Sequence, residues 1–394
     1  MEASVKSLST RVIFQKALES YNQGNVTSQL WGSAVADLQA ALTGTQGEML
    51  TLQSIVFPRD GLGGGDMSGL MNVTGEEIEG TIELPYKQAD GSAVYLGDSG
   101  FGYPPSLYPN LIYTAGFSNG TQSATTAQYG SQPLYPNSSI LLGPLQLNAS
   151  FALLSITLPV INNTSALDIL GWISVVIDAR LLFEVINSLE GLEETGTVLL
   201  IGPDTTDWRF PTSFLYDELH QNTESLVQDT RVRFVLPPME RYADKRHSDY
   251  TYGMAEAPFE LSSYPAILQG LMQNQNTTNN PGSVLSATNE ENRTVSVGFA
   301  VPATALSAWI LLMEQAQSEV WQPITHLRNV LLACVFGTAG VMLLLILPVA
   351  HFSSLPIRRL GDATRNSIDP QEHVRQSDND GVVGKASSSS ASGR

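Results

Sequence analysis

One cysteine, Cys334, in 394 residues leaves no intramolecular disulfide and no cysteine-built zinc site, so packing has to hold the fold. Basic residues are scarce as well. Twenty Lys and Arg stand against 38 Asp and Glu, a net charge of −18, which argues against a nucleic-acid surface and against a face that binds anionic lipid. No H-E-x-x-H is present to hold a catalytic zinc, and no G-x-S-x-G to present a nucleophilic serine. GLGGGD at 61–66 has no Lys-Ser/Thr after it, so it reads as a flexible connection and not a phosphate loop. No catalytic, metal or cofactor residue is expected.

A subtler pattern is LGDSGFGYPP at 96–105, where Asp98, Gly100 and Gly102 spell D-x-G-x-G. Sensor kinases line an ATP pocket with such a box, but no Asn-bearing helix or second glycine box accompanies this one. Asp-Ser-Gly before Tyr-Pro-Pro is turn chemistry, glycine supplying positive φ and proline fixing it.

What the chain does have is 42% hydrophobic content and one long apolar run. VLLACVFGTAGVMLLLILPVA, 330–350, is 21 residues without a charge, about 31 Å as a helix and enough to cross a bilayer. Arg358, Arg359 and Arg365 follow it, which is expected to put the C-terminal side in the cytosol. Nine N-x-S/T sequons precede it and none follows: Asn25, Asn72, Asn119, Asn137, Asn148, Asn162, Asn163, Asn276 and Asn292. Chance would supply roughly three or four, so residues 1–329 are expected on the glycosylated exterior of the plasma membrane.

The spacing of apolar residues predicts an N-terminal helical stretch over 1–48, with Val5, Leu8 and Val12, then Leu30, Ala34, Leu38 and Leu42, and Ser28 as cap. At 48–58 the pattern switches to alternation, with Leu50, Leu52 and Val56 on one strand face. Strands at 150–160 and 169–178, joined by a polar loop, precede a helix with Leu181, Leu182, Val185 and Leu189 inward, and then a further strand. Apolar residues on both faces of 152–158 predict a sheet covered on both sides. TVSVGFAVP and SAWILLMEQ predict two more adjacent strands. From Ser318 a helix is expected to enter the membrane, with Val320, Ile324, Leu327 and Leu331 on one stripe. Beyond it Ile357, Leu360 and Thr364 keep coiled-coil spacing, and 371–394 is low-complexity and expected to be disordered.

The TLPV…ILGWISVVIDARLLFEVI…TGTVLLIGPD series, GDSGFGYPPSLYPNL, and SAWILLMEQAQSEVWQPITHLRNVLL leading into LPIRRLGDAT resemble the input half of fungal Sln-type osmosensing hybrid histidine kinases. The resemblance implies an α+β, double-Cache-like sensor, a PAS-like antiparallel sheet with flanking helices, at 49–313, a juxtamembrane helix at 314–329, one transmembrane helix at 330–350 and the start of a HAMP domain at 351–370, with Pro356, Ile357 and Leu360 opening its first helix. It also implies a homodimer through HAMP and juxtamembrane helices. Phosphorelay partners would be reached only through a kinase half that these residues do not include. The first 29 residues are not apolar enough for the first membrane helix of such receptors, so the chain is expected to be a fragment without catalysis of its own. The alternative is a membrane-anchored surface glycoprotein without signalling output.

Remaining candidates have plain readings beside the functional ones. His220 and His247 form a candidate pH-responsive pair, or are two unrelated surface histidines. Trp172, Trp208 and Trp309 either line a ligand pocket or pack the core. Asp178 and Arg180, where a strand turns into a helix, either meet a ligand or cap that helix. Glycosidase treatment of the chain made in a eukaryotic secretory host is expected to lower its apparent mass, and Asn148→Gln to remove one discrete step. An unchanged gel mobility of correctly inserted protein would remove the sequon argument for sidedness.

Overall fold

The computed structural model describes residues 2–43, 51–60, 69–75, 82–98, 102–118, 121–148, 150–165, 167–188, 191–192, 194–210, 230–238, 246–247, 257–274, 281–302, 304 and 306–368. Their contacts divide into two units, Met1–Gln322 and Pro323–Arg394.

The first unit opens with α1 (Glu2–Ser9), α2 (Val12–Asn22) and α3 (Ser28–Thr43). These helices have helical apolar spacing, and Val5, Leu8, Phe14, Leu18, Ala34, Leu38 and Leu42 are buried. Val12 is exposed at the start of α2, and Thr27 rather than Ser28 supplies a cap, its Oγ1 accepting from the Leu30 N–H at 3.4 Å. The helix begins one residue earlier than the sequence pattern suggested, which places Ser28 inside it.

After them come β1 (Thr51–Pro58), β2 (Met71–Thr74), the short pair β3 (Glu83–Lys87) and β4 (Ala93–Tyr95), the three-stranded meander β5 (Leu111–Ser118), β6 (Thr121–Tyr129) and β7 (Gln132–Pro133), and then β8 (Ile140–Asn148), β9 (Phe151–Ile161) and β10 (Ile169–Asp178). Strands β2-β1-β10-β9-β8 form one antiparallel sheet. Both faces of its centre are covered. Ile173, Val175 and Ile177 of β10 join the N-terminal helices in one cluster, whereas Trp172 and Val176 point to the opposite side, under the meander and the 3-10 turn Pro105–Leu107.

Leu52 and Val56 do not share a face. Leu52 packs with Leu153 and Val176, and Val56 with the helices. The register of β1 against β10 slips between Thr51 and Gln53, and such a bulge flips the side chains on one side of it.

From β10 the chain enters α4 (Arg180–Asn187) and then the second sheet: β11 (Thr197–Pro203), β12 (Arg231–Phe234), β13 (Phe259–Glu260), α5 (Pro265–Asn274), β14 (Gly282–Thr288), β15 (Thr294–Ala300) and β16 (Ile310–Ala316). On α4 the inward residues are Phe183 and Ile186, with Leu182 packed beside them and Val185 exposed. The apolar stripe lies one residue out of phase with the pattern expected from leucines alone. Leu189 lies outside the described residues.

The second sheet is antiparallel throughout, in the order β13-β12-β11-β16-β15-β14. Counting only its own strands, and setting aside the two-residue edge strand β13, the order is second, first, fifth, fourth, third. The first sheet has the same order. The two sheets are one topology used twice. Leu199, Ile201, Val232, Val297, Phe299, Ile310 and Leu312 pack with Tyr264 and Ile267 into the second sheet's core, while Leu200 and Trp309 turn to the core of the first.

The chain leaves β16 directly into α6 (Gln317–Ile368), 52 residues long, with Pro323, Pro348 and Pro356 inside it. A proline removes one N–H and strains the turn before it. Truncating a central side chain should test where the fold is held. Ile173→Ala is expected to cost about 2–5 kcal/mol in urea unfolding of the detergent-solubilised chain, whereas Leu285→Ala, on the exposed edge of β14, should cost under about 0.5 kcal/mol. Equal effects would contradict the two-sided core.

Candidate functional site

Strand β16 is apolar on its inward face except for Glu314, which is fully buried. A carboxylate without water needs donors on every side, because burial disfavours its charged form. Three residues supply them. Arg246 Nε donates to Glu314 Oε1 at 2.8 Å, Tyr264 Oη donates to Oε2 at 2.6 Å, and His247 Nε2 stands 3.5 Å from Oε1. On its other edge His247 Nδ1 meets Glu290 Oε1, and Phe234 packs edge-on against the ring at a centroid distance of 5.3 Å. Arg246, His247, Glu290 and Glu314 sum to no net charge.

Burial by itself would push the His247 imidazole down. Hydrogen bonds and charge from Glu290 and Glu314 outweigh that and raise it to about 10. Burial likewise raises Glu314, but His247, Tyr264 and Arg246 together bring it below the usual carboxylate range. Tyr264 is driven far up by burial and by Glu314, so it stays a donor.

This cluster continues to the root of α6. Arg246 Nη2 donates to the Thr195 carbonyl at 2.6 Å and to Thr197 Oγ1 at 3.2 Å. Thr195 Oγ1 accepts from the Ala316 N–H at 3.0 Å and donates to Glu319. Glu319, in the first turn of α6, also accepts the N–H groups of Glu194 at 2.7 Å and Thr195 at 3.0 Å. The strand-to-helix turn is therefore gripped from both sides, with Glu314 behind it and Glu319 ahead.

The sequence-predicted residues fall in separate places. Val320, Ile324, Leu327, Leu331, Pro356, Ile357 and Leu360 all lie on α6, Val320 half-buried and the others exposed. The apolar stretch of this helix has a mean hydropathy of 2.7 in its most apolar window and none of that window is buried. By length and composition it is one candidate membrane helix. Among the sequon asparagines, Asn25, Asn72, Asn137, Asn148, Asn163 and Asn292 are exposed and Asn162 is half-buried, its side chain tied to Asp168 and Thr164; Asn119 and Asn276 lie outside the described residues.

Asp98 closes its own turn. Its Oδ2 accepts from the Tyr95 N–H at 2.7 Å and its carbonyl accepts from the Gly102 N–H at 2.9 Å, so the carboxylate is spent on the backbone; Gly100 lies outside the described residues. Asp178 is buried and holds the Arg180 N–H at 2.9 Å as well as its guanidinium, which is the capping reading. Of the histidine pair, His247 is buried in the ionic cluster and is not a surface group, and His220 lies outside the described residues. Trp172 is core; Trp208 and Trp309 meet edge to face at 6.0 Å. Sequence reasoning missed Glu314, Arg246, Tyr264, Thr195 and Glu319. The available signal was Glu314 itself, a lone charge in the strand ILLMEQA.

No known family profile matches the chain. A relative is the osmosensing histidine protein kinase SLN1 of Saccharomyces cerevisiae, 25% identical over 229 residues, which are 57% of this chain and 16% of that kinase. The similarity is to a sensor kinase, and the chain covers a minor part of its length. A solved structure titled methyl-accepting chemotaxis protein X superposes over 79% of this chain and 95% of its own at 12% identity, with a TM-score of 0.29, too low to bear on the fold.

The shifted groups set a pH dependence. His247's contribution to stability is complete below its unfolded value near 6.5, wanes as pH rises and is gone above about 10. Glu314's is complete above its unfolded value near 4.5 and is lost as pH falls through its depressed folded value. The gap in thermal midpoint between the wild type and His247→Gln should thus be widest at pH 5–6.5 and shrink toward pH 10. A gap that is constant with pH would mean that the imidazole is not charged in the fold.

Proposed function

We propose that this chain is the sensory and membrane-coupling part of an osmosensing histidine-kinase receptor of the phosphorelay type. In this reading residues 1–329 face the outside of the plasma membrane, 330–350 cross it, and 351–370 open a HAMP domain in the cytosol. Two copies pair through the juxtamembrane and HAMP helices, and phosphorelay partners are engaged by a kinase half that residues 1–394 do not contain. The observation that carries it is the junction: β16 passes without a connecting loop into a helix that contains the apolar run, and a buried ionic cluster holds the turn. Support also comes from the similarity to the yeast osmosensing kinase, and from the repeated strand order, which suits the double Cache sensor that the sequence resembles.

A change in the outer sheets would reach the membrane as a rotation or shift of α6. The tested insertion belongs beyond Glu319, so that the grip on the helix root survives. One residue inserted between Leu327 and Arg328 rotates everything downstream by about 100°, and seven nearly restore the phase. In a chimaera joining residues 1–368 to a histidine kinase's cytoplasmic half, one residue should change phosphotransfer output at least several-fold, and seven should return it close to wild type. Equal output from all insertions of one to seven would replace the lever by a flexible tether, and no output from any chimaera, wild type included, would favour an anchored glycoprotein without signalling.

A further inference from the structure

Where the first sheet's edge strand β8 approaches β12 of the second, a cleft of about 470 Å³ opens within the first unit. One side is Tyr108, Tyr129 and residues Leu142–Gln146; the other is Trp208, Arg233 and Phe234. Among the described residues its only charged lining residue is Arg233.

Arg233 is a half-buried cation with little to hold. A guanidinium carries five N–H donors. Here it makes one long hydrogen bond, from Nη2 to the Thr205 carbonyl at 3.4 Å, and an ion pair from Nε to Asp204 at 3.4 Å whose geometry leaves the buried Nε without a hydrogen bond. Its plane lies over the Trp208 ring, 4.4 Å from the centroid. Burial lowers the guanidinium's proton affinity, the sign expected for a cation short of partners. By contrast the more deeply buried Arg246 spends its donors on Glu314, Thr195 and Thr197.

Trp208 is the second, independent mark. It sits in the left-handed region at φ 56°, which is uncommon for a bulky residue and costs on the order of 1–3 kcal/mol. The strain is held by its indole N–H, which donates to the Gly143 carbonyl on β8, and by the absence of a side chain at Gly202, where a Cβ would lie 2.7 Å from the indole. The indole is thereby fixed as a floor beneath Arg233, between the two sheets.

We infer that this cleft binds a small organic anion, its carboxylate or phosphonate on the free edge of Arg233 and its apolar or aromatic body between Tyr108 and Tyr129. A forked guanidinium pairs with two oxygens at once, and aromatic walls suit a flat body. Because the cleft is lined from both sheets, an occupant bridges them. Phe234, beside Arg233, touches His247, which pairs with Glu314 at the helix root. Any role of the anion as stimulus rests on the sensory reading above; its binding does not.

The test uses the full chain in detergent and no signalling output. Benzoate and phenylphosphonate are titrated while tryptophan fluorescence and thermal midpoint are followed, with benzyl alcohol as the neutral match. A saturable response to at least one of the anions, at least ten-fold weaker for benzyl alcohol, is expected. Arg233→Lys keeps the charge but loses the fork and should weaken the anion at least ten-fold; Arg233→Gln should abolish the response without lowering the ligand-free midpoint. No saturable response of the wild type to either anion, a matching response to benzyl alcohol, or full response in Arg233→Gln would each overturn the assignment. If neither variant folds, the wild-type contrast between anion and alcohol decides it. A negative result leaves the insertion experiment untouched, and a failed insertion experiment leaves anion binding untouched.

Discussion

Glu314 carries an ionised carboxylate into the interior of a sheet, and most of what distinguishes this molecule follows from keeping it satisfied. Removing one partner of a buried ion pair typically costs about 3–5 kcal/mol, because the other charge stays behind without its counter-ion. Arg246 and His247 must therefore be brought from outside the sheet, Tyr264 must stand at the head of α5, and Glu290 must balance the second cation. Hydrophobic replacements could fill the same volume. What they would lack is direction: the guanidinium that meets Glu314 also takes the Thr195 carbonyl, and Thr195 grips both Ala316 and Glu319. Charge thus fixes the place where β16 becomes α6 more sharply than packing would.

The two-sided burial of the first sheet has a different cause. Its central strands offer apolar side chains in both directions, and a sheet with two apolar faces must find two covers. The N-terminal helices provide one, and the tyrosine-rich meander and 3-10 turn provide the other, with Tyr113 Oη reaching the Pro58 carbonyl at 2.7 Å. This segment is therefore a lid, and its tyrosine hydroxyls are spent inward: Tyr103 and Tyr113 on the Leu52 and Pro58 carbonyls, Tyr108 on the Gln53 side chain and Tyr129 on Thr206.

Long-period features were legible in the sequence. The 152–158 run, the pair at 294–300 and 310–316, and the helix beyond Ser318 are decided by local apolar pattern, and the structure has strands and helix there. The face of Leu52 was not legible, because a bulge is set by pairing with β10 and leaves no period in β1 itself. The ionic cluster was hidden for a related reason. Arg246 and His247 lie 68 and 67 residues before Glu314 in the numbering and belong to no described strand or helix, so nothing local links them to β16. Asp178 was legible, since capping chemistry acts within two residues. Trp208 was visible in the sequence as one candidate among the tryptophans, but Arg233 was not, and nothing local pairs the two. Their meeting depends on how β12 lies beside the turn after β11.

The shared strand order carries a consequence for how the chain is wired. In each sheet the fifth strand in sequence lies at the centre, between the first and the fourth, and in each it runs straight into a helix: β10 into α4, and β16 into α6. Both exits are marked by a carboxylate that fastens the turn, Asp178 on the Arg180 N–H and Glu319 on the N–H groups of Glu194 and Thr195. The molecule is thus two copies of one adaptor in series. The output of the first feeds the second sheet, and the output of the second is the long apolar helix. The two joints share their strand order and differ in reach: Asp178 fastens only its own turn, whereas Glu319 ties the root of the long helix back to the segment that leads into β11, so the second joint alone couples its helix to a distant part of the chain.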